Sequence, residues 1–250
     1  YQVILELNYF GKHCLRVLST KSTGMIRLGL ALPIYTRMGA IMIGTGQPRI
    51  ISEKRFEQLS SDFNSLNTVL GQLVPGLSIK VKKIREAVTK KGNPGCEIVI
   101  VADRDGIELP IQDESDGIKK IISSLLLVIE AFNDPSMTIA IDEFDAGIYE
   151  YLLGEILEGF EKYGKGQFIF TSHNLRPLEV INKDFIMFTT MNPDNRFIRL
   201  ENVGQSNNLR DKSFHEILLD GQDEKLYSQA KTYKVVQAFR KAKTADGETT

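Results

Sequence analysis

The sequence predicts an α/β fold: a mainly parallel core sheet flanked by helices, with an antiparallel β-meander beside it. Three observations predict it. The apolar run 138–141 ends in two adjacent carboxylates, Asp142 and Glu143. A second apolar run, 167–172, ends in His173-Asn174, and between the two lies an amphipathic stretch with Ile148, Leu152, Ile156 and Phe160 on one face. Strand, helix, strand reads as a crossover unit, whose strands run parallel and close together. Upstream, residues 77–85 alternate apolar and charged, and a second strand, 96–102, follows the turn residues Gly92-Asn-Pro-Gly95, the pattern of an antiparallel pair.

Taken from the start, residues 1–7 read as a strand. Residues 25–51 mix short apolar stretches with Gly39, Gly44, Gly46 and Pro48, so residues 1–55 are expected to be N-terminal strands and turns to which no motif attaches. Residues 52–73 carry Phe56, Leu59, Phe63, Leu66 and Leu70 at helical spacing and stop at Pro75-Gly76; a stripe of this kind is core before it is a partner groove. The meander completes a region 56–112. Its basic residues Lys80, Lys82, Lys83, Arg85, Lys90 and Lys91 read as the solvated face of an antiparallel strand. A DNA-phosphate surface is the less favoured reading, because no aromatic platform accompanies them. Asp103-Arg-Asp105-Gly106 reads as a hairpin turn between apolar strands, with a metal-binding Asp-x-Asp as the alternative.

Behind the meander, Ile118, Ile121, Ile122, Leu125, Ile129 and Phe132 recur at helical spacing, which puts Ser115 at or near a helix N-cap. A hydroxyl at Ser115, a glycine at Gly117 that lets a backbone come close, and free N–H groups at a helix start form an anion site; plain capping explains the same residues. At the next strand, a parallel sheet carries its C-terminal ends to the edge where ligands bind. There Asp142 can hold Mg²⁺ through its water shell, and Glu143 can orient and deprotonate a water. Two acids at a strand end are also a common solvated terminus, and a lone histidine is commonly a hydrogen-bonded structural residue. The matched strand ends, which bring His173 beside Glu143, favour a site.

Taken in order, these pieces resemble the ATP-binding-cassette ATPases, within them the soluble SMC-like heads and the related ATPases of bacterial defence and DNA-repair systems. Residues 114–118 (Glu-Ser-Asp-Gly-Ile) resemble the signature motif, 138–143 the Walker B strand, 145–148 (Asp-Ala-Gly-Ile) the D-loop, and 170–174 the switch-histidine strand. The resemblance covers about residues 56–240, with 113–210 as the ATPase core and 211–250 as C-terminal helices and polar tail; residues 208–222 are similar to the C-terminal helices of those ATPases. It implies a P-loop NTPase core that uses ATP and Mg²⁺ and a homodimer of two heads, each ATP lying between the Walker motifs of one and the signature of the other. In that scheme Asp142 holds Mg²⁺, Glu143 is the general base and His173 contacts the γ-phosphate and the attacking water. Ser115 and Gly117 serve the partner's nucleotide, and Asp145 links the two sites. The implied output is an ATPase subunit of a defence or DNA-processing complex, with an associated nuclease or other effector as a further partner. The alternative is a head-like interaction module without catalysis.

Two departures stand out. Asp116 occupies a position where transporter-type signatures have glycine, so its carboxylate is expected to point away from any phosphate. No GxxxxGK[ST] phosphate loop occurs in the chain. The nearest match, Gly159 to Lys165, lies between a helix and a strand, the reverse of the required order, and Gly164 and Gly166 read better as a helix end and turn; Gly44-Thr-Gly46 has no following lysine. In the family that loop lies N-terminal to every motif seen here. The chain, opening at Tyr1, is therefore expected to be part of a longer ATPase and inactive by itself.

Composition fits an ordinary globular protein: 250 residues, 42% hydrophobic, 25% charged, formal charge −1, which offers no global attraction to nucleic acid. Cys14 and Cys96 are too few for a disulfide scaffold or a zinc site and are expected to be reduced. No apolar run approaches a membrane span and no signal peptide opens the chain, so the expected location is the cytoplasm.

Overall fold

The structure, a computed structural model, describes residues 2–19, 31–36, 39–44, 48–199 and 232–245, with the backbone alone at 31–36, 39–44 and 242–245. The C-terminal stretch 208–222 lies outside the described residues. Two compact units divide the chain, Tyr1–Pro177 and Leu178–Thr250. In chain order the first holds α1 (Gln2–Tyr9), β1 (Leu15–Leu18), β2 (Ala31–Thr36), β3 (Gly39–Gly44), β4 (Arg49–Ser52), α2 (Glu53–Leu73), β5 (Leu77–Val88), β6 (Pro94–Arg104), β7 (Ile107–Pro110), α3 (Asp116–Asn133), β8 (Thr138–Ile141), α4 (Glu150–Tyr163) and β9 (Gln167–Phe170).

The core sheet is parallel, in the order β1-β8-β9, with Leu18, Ile141 and Phe170 in one register row. That alignment puts Asp142 and Thr171 side by side just beyond the sheet. One face carries Leu18, Ile139 and Ile141, all buried, and the rings of Phe168 and Phe170. Phe144 stands edge-on to Phe168 at 5.1 Å and Phe160 of α4 at 5.2 Å, so aromatic packing ties the crossover helix and the turn after β8 to the same strand. On the other face Val17 and Ile169, again in one row, are exposed.

The antiparallel sheet runs β4-β6-β5, with β7 also pairing β6. Helix α2 packs on it through Leu59, Phe63, Leu66 and Leu70, the stripe read from the sequence. It also closes the sheet edge: Asn67 Nδ2 donates to the Ile79 carbonyl at 2.8 Å and Asn67 Oδ1 accepts the Ile79 N–H at 2.8 Å. The basic residues of β5 are spent within the meander and on the start of α2, Lys80 on Asp103, Lys82 on Glu108, Lys83 on Glu53 of α2 and on Glu86, and Arg85 on Glu97. Asp105 and Gly106 both have positive φ, +51 and +89, as a two-residue hairpin turn requires, and Asp103 Oδ1 accepts the Gly106 N–H.

Three expectations change. Residues 2–9 form a helix instead of a strand: Gln2 donates to Glu6 across one turn at 3.0 Å, and Gln, Leu and Glu are all good helix formers. The buried line of α4 is Leu153 and Leu157, with Leu152, Ile156 and Phe160 at its flank, because the helix starts only at Glu150 and leaves Ile148 in the preceding turn. Helix α3 is buried on all sides from Lys119 to Val128 instead of along one stripe, since it runs beside both the parallel sheet and α2.

The near-match to a phosphate loop is a structural turn. Gly164 caps α4, its N–H bonding the Phe160 carbonyl, while the N–H groups of Lys165 and Gly166 satisfy the last carbonyls of α3, Phe132 and Ala131. A Cβ on Gly166 would lie 2.6 to 2.7 Å from three carbonyl oxygens, so the position demands glycine for packing.

In the second unit, Asn182 caps a short turn by accepting the Asp184 N–H at 3.0 Å, Phe188–Thr189 pairs antiparallel with Phe197–Ile198, and Thr232–Ala245 is helical.

Candidate functional site

The parallel pairing of β8 with β9 builds the site. Beyond the register row Ile141–Phe170, Asp142 and Glu143 follow one strand and Thr171, Ser172 and His173 the other. His173 Nε2 stands 3.9 Å from Glu143 Oε1. The imidazole is 86% exposed and the glutamate side chain 44%, so both face outward at the sheet edge, open to a substrate. Asp145 is joined to the same cluster through the backbone, both its carboxylate oxygens accepting the His173 N–H at 3.2 and 3.3 Å.

Thr171 ties the acids together. Its hydroxyl donates to Asp142 Oδ1 at 2.6 Å and accepts the Glu143 N–H at 2.7 Å, one group serving as donor and acceptor at once. Lys120 enters from α3 and donates to the Glu143 carbonyl. It is almost fully buried, and burial pushes its ammonium below the usual lysine value against the pull of Asp145, Glu143 and Asp142.

The signature-like segment reaches this cluster through glycine. Gly117 packs directly on the backbone of Gly147, so that a Cβ on either would overlap the other. Ser115 is the N-cap of α3, its Oγ accepting the Ile118 N–H at 3.2 Å, and it remains exposed. Asp116 takes the first helical position, where a carboxylate is favoured, and its side chain turns to Lys119 at 3.6 Å. Glu114 is buried and clamped by both forks of Arg104, at 2.9 and 2.8 Å. The hydrogen bond from Arg104 holds its carboxyl below the ordinary glutamate range.

Among the residues expected from sequence, Asp142, Glu143, Asp145 and His173 therefore gather at one edge, and Gly117 joins them through Gly147. Ser115 lies two residues before that contact and performs the capping that either of its readings requires. Sequence reasoning missed Thr171, Lys120 and Arg104. Extending the strand register one position would have found Thr171 opposite Asp142; nothing local marks a lysine on a helix as buried.

A hard carboxylate oxygen at Asp142 suits a Mg²⁺ that takes one or two protein ligands and fills its shell with water and phosphate. Among the described residues no three His, Cys, Asp or Glu gather as a metal-holding group, and an ion so held needs none. Asp103 and Asp105 are hairpin residues, and Cys14 and Cys96 are free and buried. No described helix is long and apolar enough to cross a membrane.

No curated protein matches the sequence. Among solved structures, the chain is similar to the Smc head domain with a coiled coil and joint from Pyrococcus yayanosii, at 18% identity over 64% of this chain and 29% of that one, TM-score 0.46. It is similar to a structure described as concerned with ATP-driven dimerisation and DNA-stimulated activation of SMC ATPases, at 18% identity over 68% of this chain and 96% of that one, TM-score 0.44. A third is the Smc head bound to the C-terminal winged-helix domain of ScpA, at 19% identity over 48% and 36%, TM-score 0.35. The chain thus spans about a third of two of these three proteins. Likeness at this level carries neither activity nor partner across. A family model described as "AAA domain, putative AbiEii toxin, Type IV TA system" matches residues 48–179, the stretch that holds the meander, the α3 cap, the acidic strand end and His173. With more than half of its residues inside that match, the chain belongs to this family of AAA-type ATPase domains.

Proposed function

We propose that residues 1–250 supply the hydrolytic edge and the signature face of an ATPase that closes on a second copy of itself around ATP. One observation carries the reading: Asp142, Glu143 and His173 are brought to one sheet edge by the registered pair β8 and β9, with Glu143 3.9 Å from His173. Bound Mg²⁺ would neutralise charge on the β and γ phosphates. Asp142 would hold that ion, its orientation fixed by the Thr171 hydroxyl. Glu143 would accept the proton of an attacking water, and His173 would hold the water and the γ-phosphate in line. Exposed Ser115, at the start of α3, would contact the nucleotide of the other head, and Asp145, bonded to the His173 N–H, would couple the two sites. The family's description as a putative toxin of a type IV system supports a role in a defence complex; a DNA-processing complex is the other output the resemblance implies, with an associated nuclease as a further partner. The test is Mg²⁺-dependent phosphate release by the complete protein: Asp142→Asn should abolish it, and undiminished turnover would remove the assignment.

A second reading, a head-like interaction module, is favoured by the lack of a GxxxxGK[ST] sequence within these residues. Turnover by the complete protein separates the two readings; residues 1–250 alone should bind ATP weakly at best on either. Micromolar affinity would show a phosphate cradle of another kind.

A further inference from the structure

Glu143 has a left-handed backbone, φ +49, a conformation that costs energy in any residue with a Cβ. Among the described residues only Asp105, in its hairpin, shares it outside glycine. Both polar groups of the Glu143 backbone are held by side chains from other elements. The Thr171 hydroxyl accepts its N–H at 2.7 Å, and the Lys120 ammonium donates to its carbonyl, which also takes the Ala146 N–H at 3.0 Å. On the far side the Phe144 N–H bonds the Thr171 carbonyl at 2.9 Å, and the Phe144 ring is buried against Phe168 and Phe170. The left-handed turn is what lets Phe144 return to the core while the Glu143 carboxylate stays at the edge, facing His173.

Packing alone does not account for Lys120. A buried ammonium loses solvation, and an apolar side chain would fill the same space at less cost. Its hydrogen bond goes to a backbone carbonyl within a cluster of three acids. We propose that Lys120 and Thr171 are positioning residues that grip Glu143 from both sides, one from α3 and one from the end of β9, and so fix the direction of its carboxylate; the inference rests on the reading of Glu143 as the general base. Because α3 begins at the signature-like segment, any shift of that helix is passed to Glu143 through Lys120.

The experiment uses the complete protein with Lys120→Met, Thr171→Val and Thr171→Ser. Lys120→Met should lower kcat roughly 10- to 100-fold, as a displaced catalytic group does, with ATP affinity little changed; Thr171→Val, which also releases Asp142 Oδ1, should lower kcat at least as much. Thr171→Ser, which keeps the hydroxyl, should recover most of the loss. A second readout is independent of turnover: denaturant unfolding of each variant alone and combined with Glu143→Gly. Glycine takes φ +49 freely, so the stability lost with Lys120→Met and Thr171→Val should shrink in that background. A loss that Glu143→Gly leaves unchanged overturns the inference. Coupling in stability without any effect of Lys120→Met on turnover keeps the grip on the turn and overturns its part in aiming the carboxylate; absence of turnover in the unaltered protein overturns Glu143 as base. If Lys120→Met does not fold, Thr171→Val carries the same cycle.

Discussion

Gly117 at the start of α3 and Gly147 in the turn after β8 meet backbone to backbone, and a Cβ on Gly147 would lie 2.7 Å from the Gly117 Cα. A signature-like glycine is generally read as making room for a phosphate; here it also lets the start of α3 touch the turn after β8. Gly147 has a second constraint, φ +78. Gly117→Ala is therefore expected to destabilise by about 1–3 kcal/mol through the overlap alone. Gly147→Ala should cost at least as much, since overlap and left-handed backbone add. Urea unfolding of the two variants checks both; a neutral Gly117→Ala would show that the two segments separate at no cost.

Arg104 and Glu114 join the meander to the α3 cap, and the pH dependence of stability should report on them. The Arg104 hydrogen bond lowers the folded-state value of Glu114. The group therefore adds stability that is complete above its unfolded value of about 4.3 and is lost as pH falls through the lower folded value. Glu114→Gln should cost about 1–3 kcal/mol at pH 7 and flatten the decline of stability below about pH 4.3. Denaturation at pH 7 and pH 3 measures it, and an acid limb unchanged in slope would assign the acid sensitivity to other carboxylates.

Ser115 separates capping from nucleotide contact. The cap bond to the Ile118 N–H predicts that Ser115→Ala loses about 0.5–2 kcal/mol of stability and little else. Ser115→Arg should leave the monomer folded and block ATP-driven pairing of two copies by filling the phosphate position. Sedimentation with ATP decides it: a Ser115→Arg protein that still pairs as tightly as the unaltered one would leave residues 114–118 as a helix start and nothing more.

Much of this was legible in the sequence because local signals agree with tertiary use. The apolar runs ending in Asp142-Glu143 and His173-Asn174 are strands in register, and the α2 stripe from Leu59 to Leu70 is core. Asp105-Gly106 is the hairpin turn its dipeptide predicts. What was not legible depends on distant partners. β1 is four residues long, and its place beside β8 joins residues more than a hundred positions apart, which no local pattern encodes. Nothing local marks Lys120 as buried; it is so because α3 is enclosed on every side. The left-handed turn at Glu143 leaves no mark in the sequence, since glutamate there breaks the usual preference for glycine.

The most direct measurement of the central claim is ATP turnover and ATP retention by the complete protein carrying Glu143→Gln. The amide keeps the shape of the carboxylate and its place 3.9 Å from His173 but cannot take the proton of water. Turnover should fall by at least about 100-fold, with ATP still bound and paired copies accumulating. Hydrolysis by Glu143→Gln at close to the unaltered rate would contradict the account, since the base would then lie elsewhere.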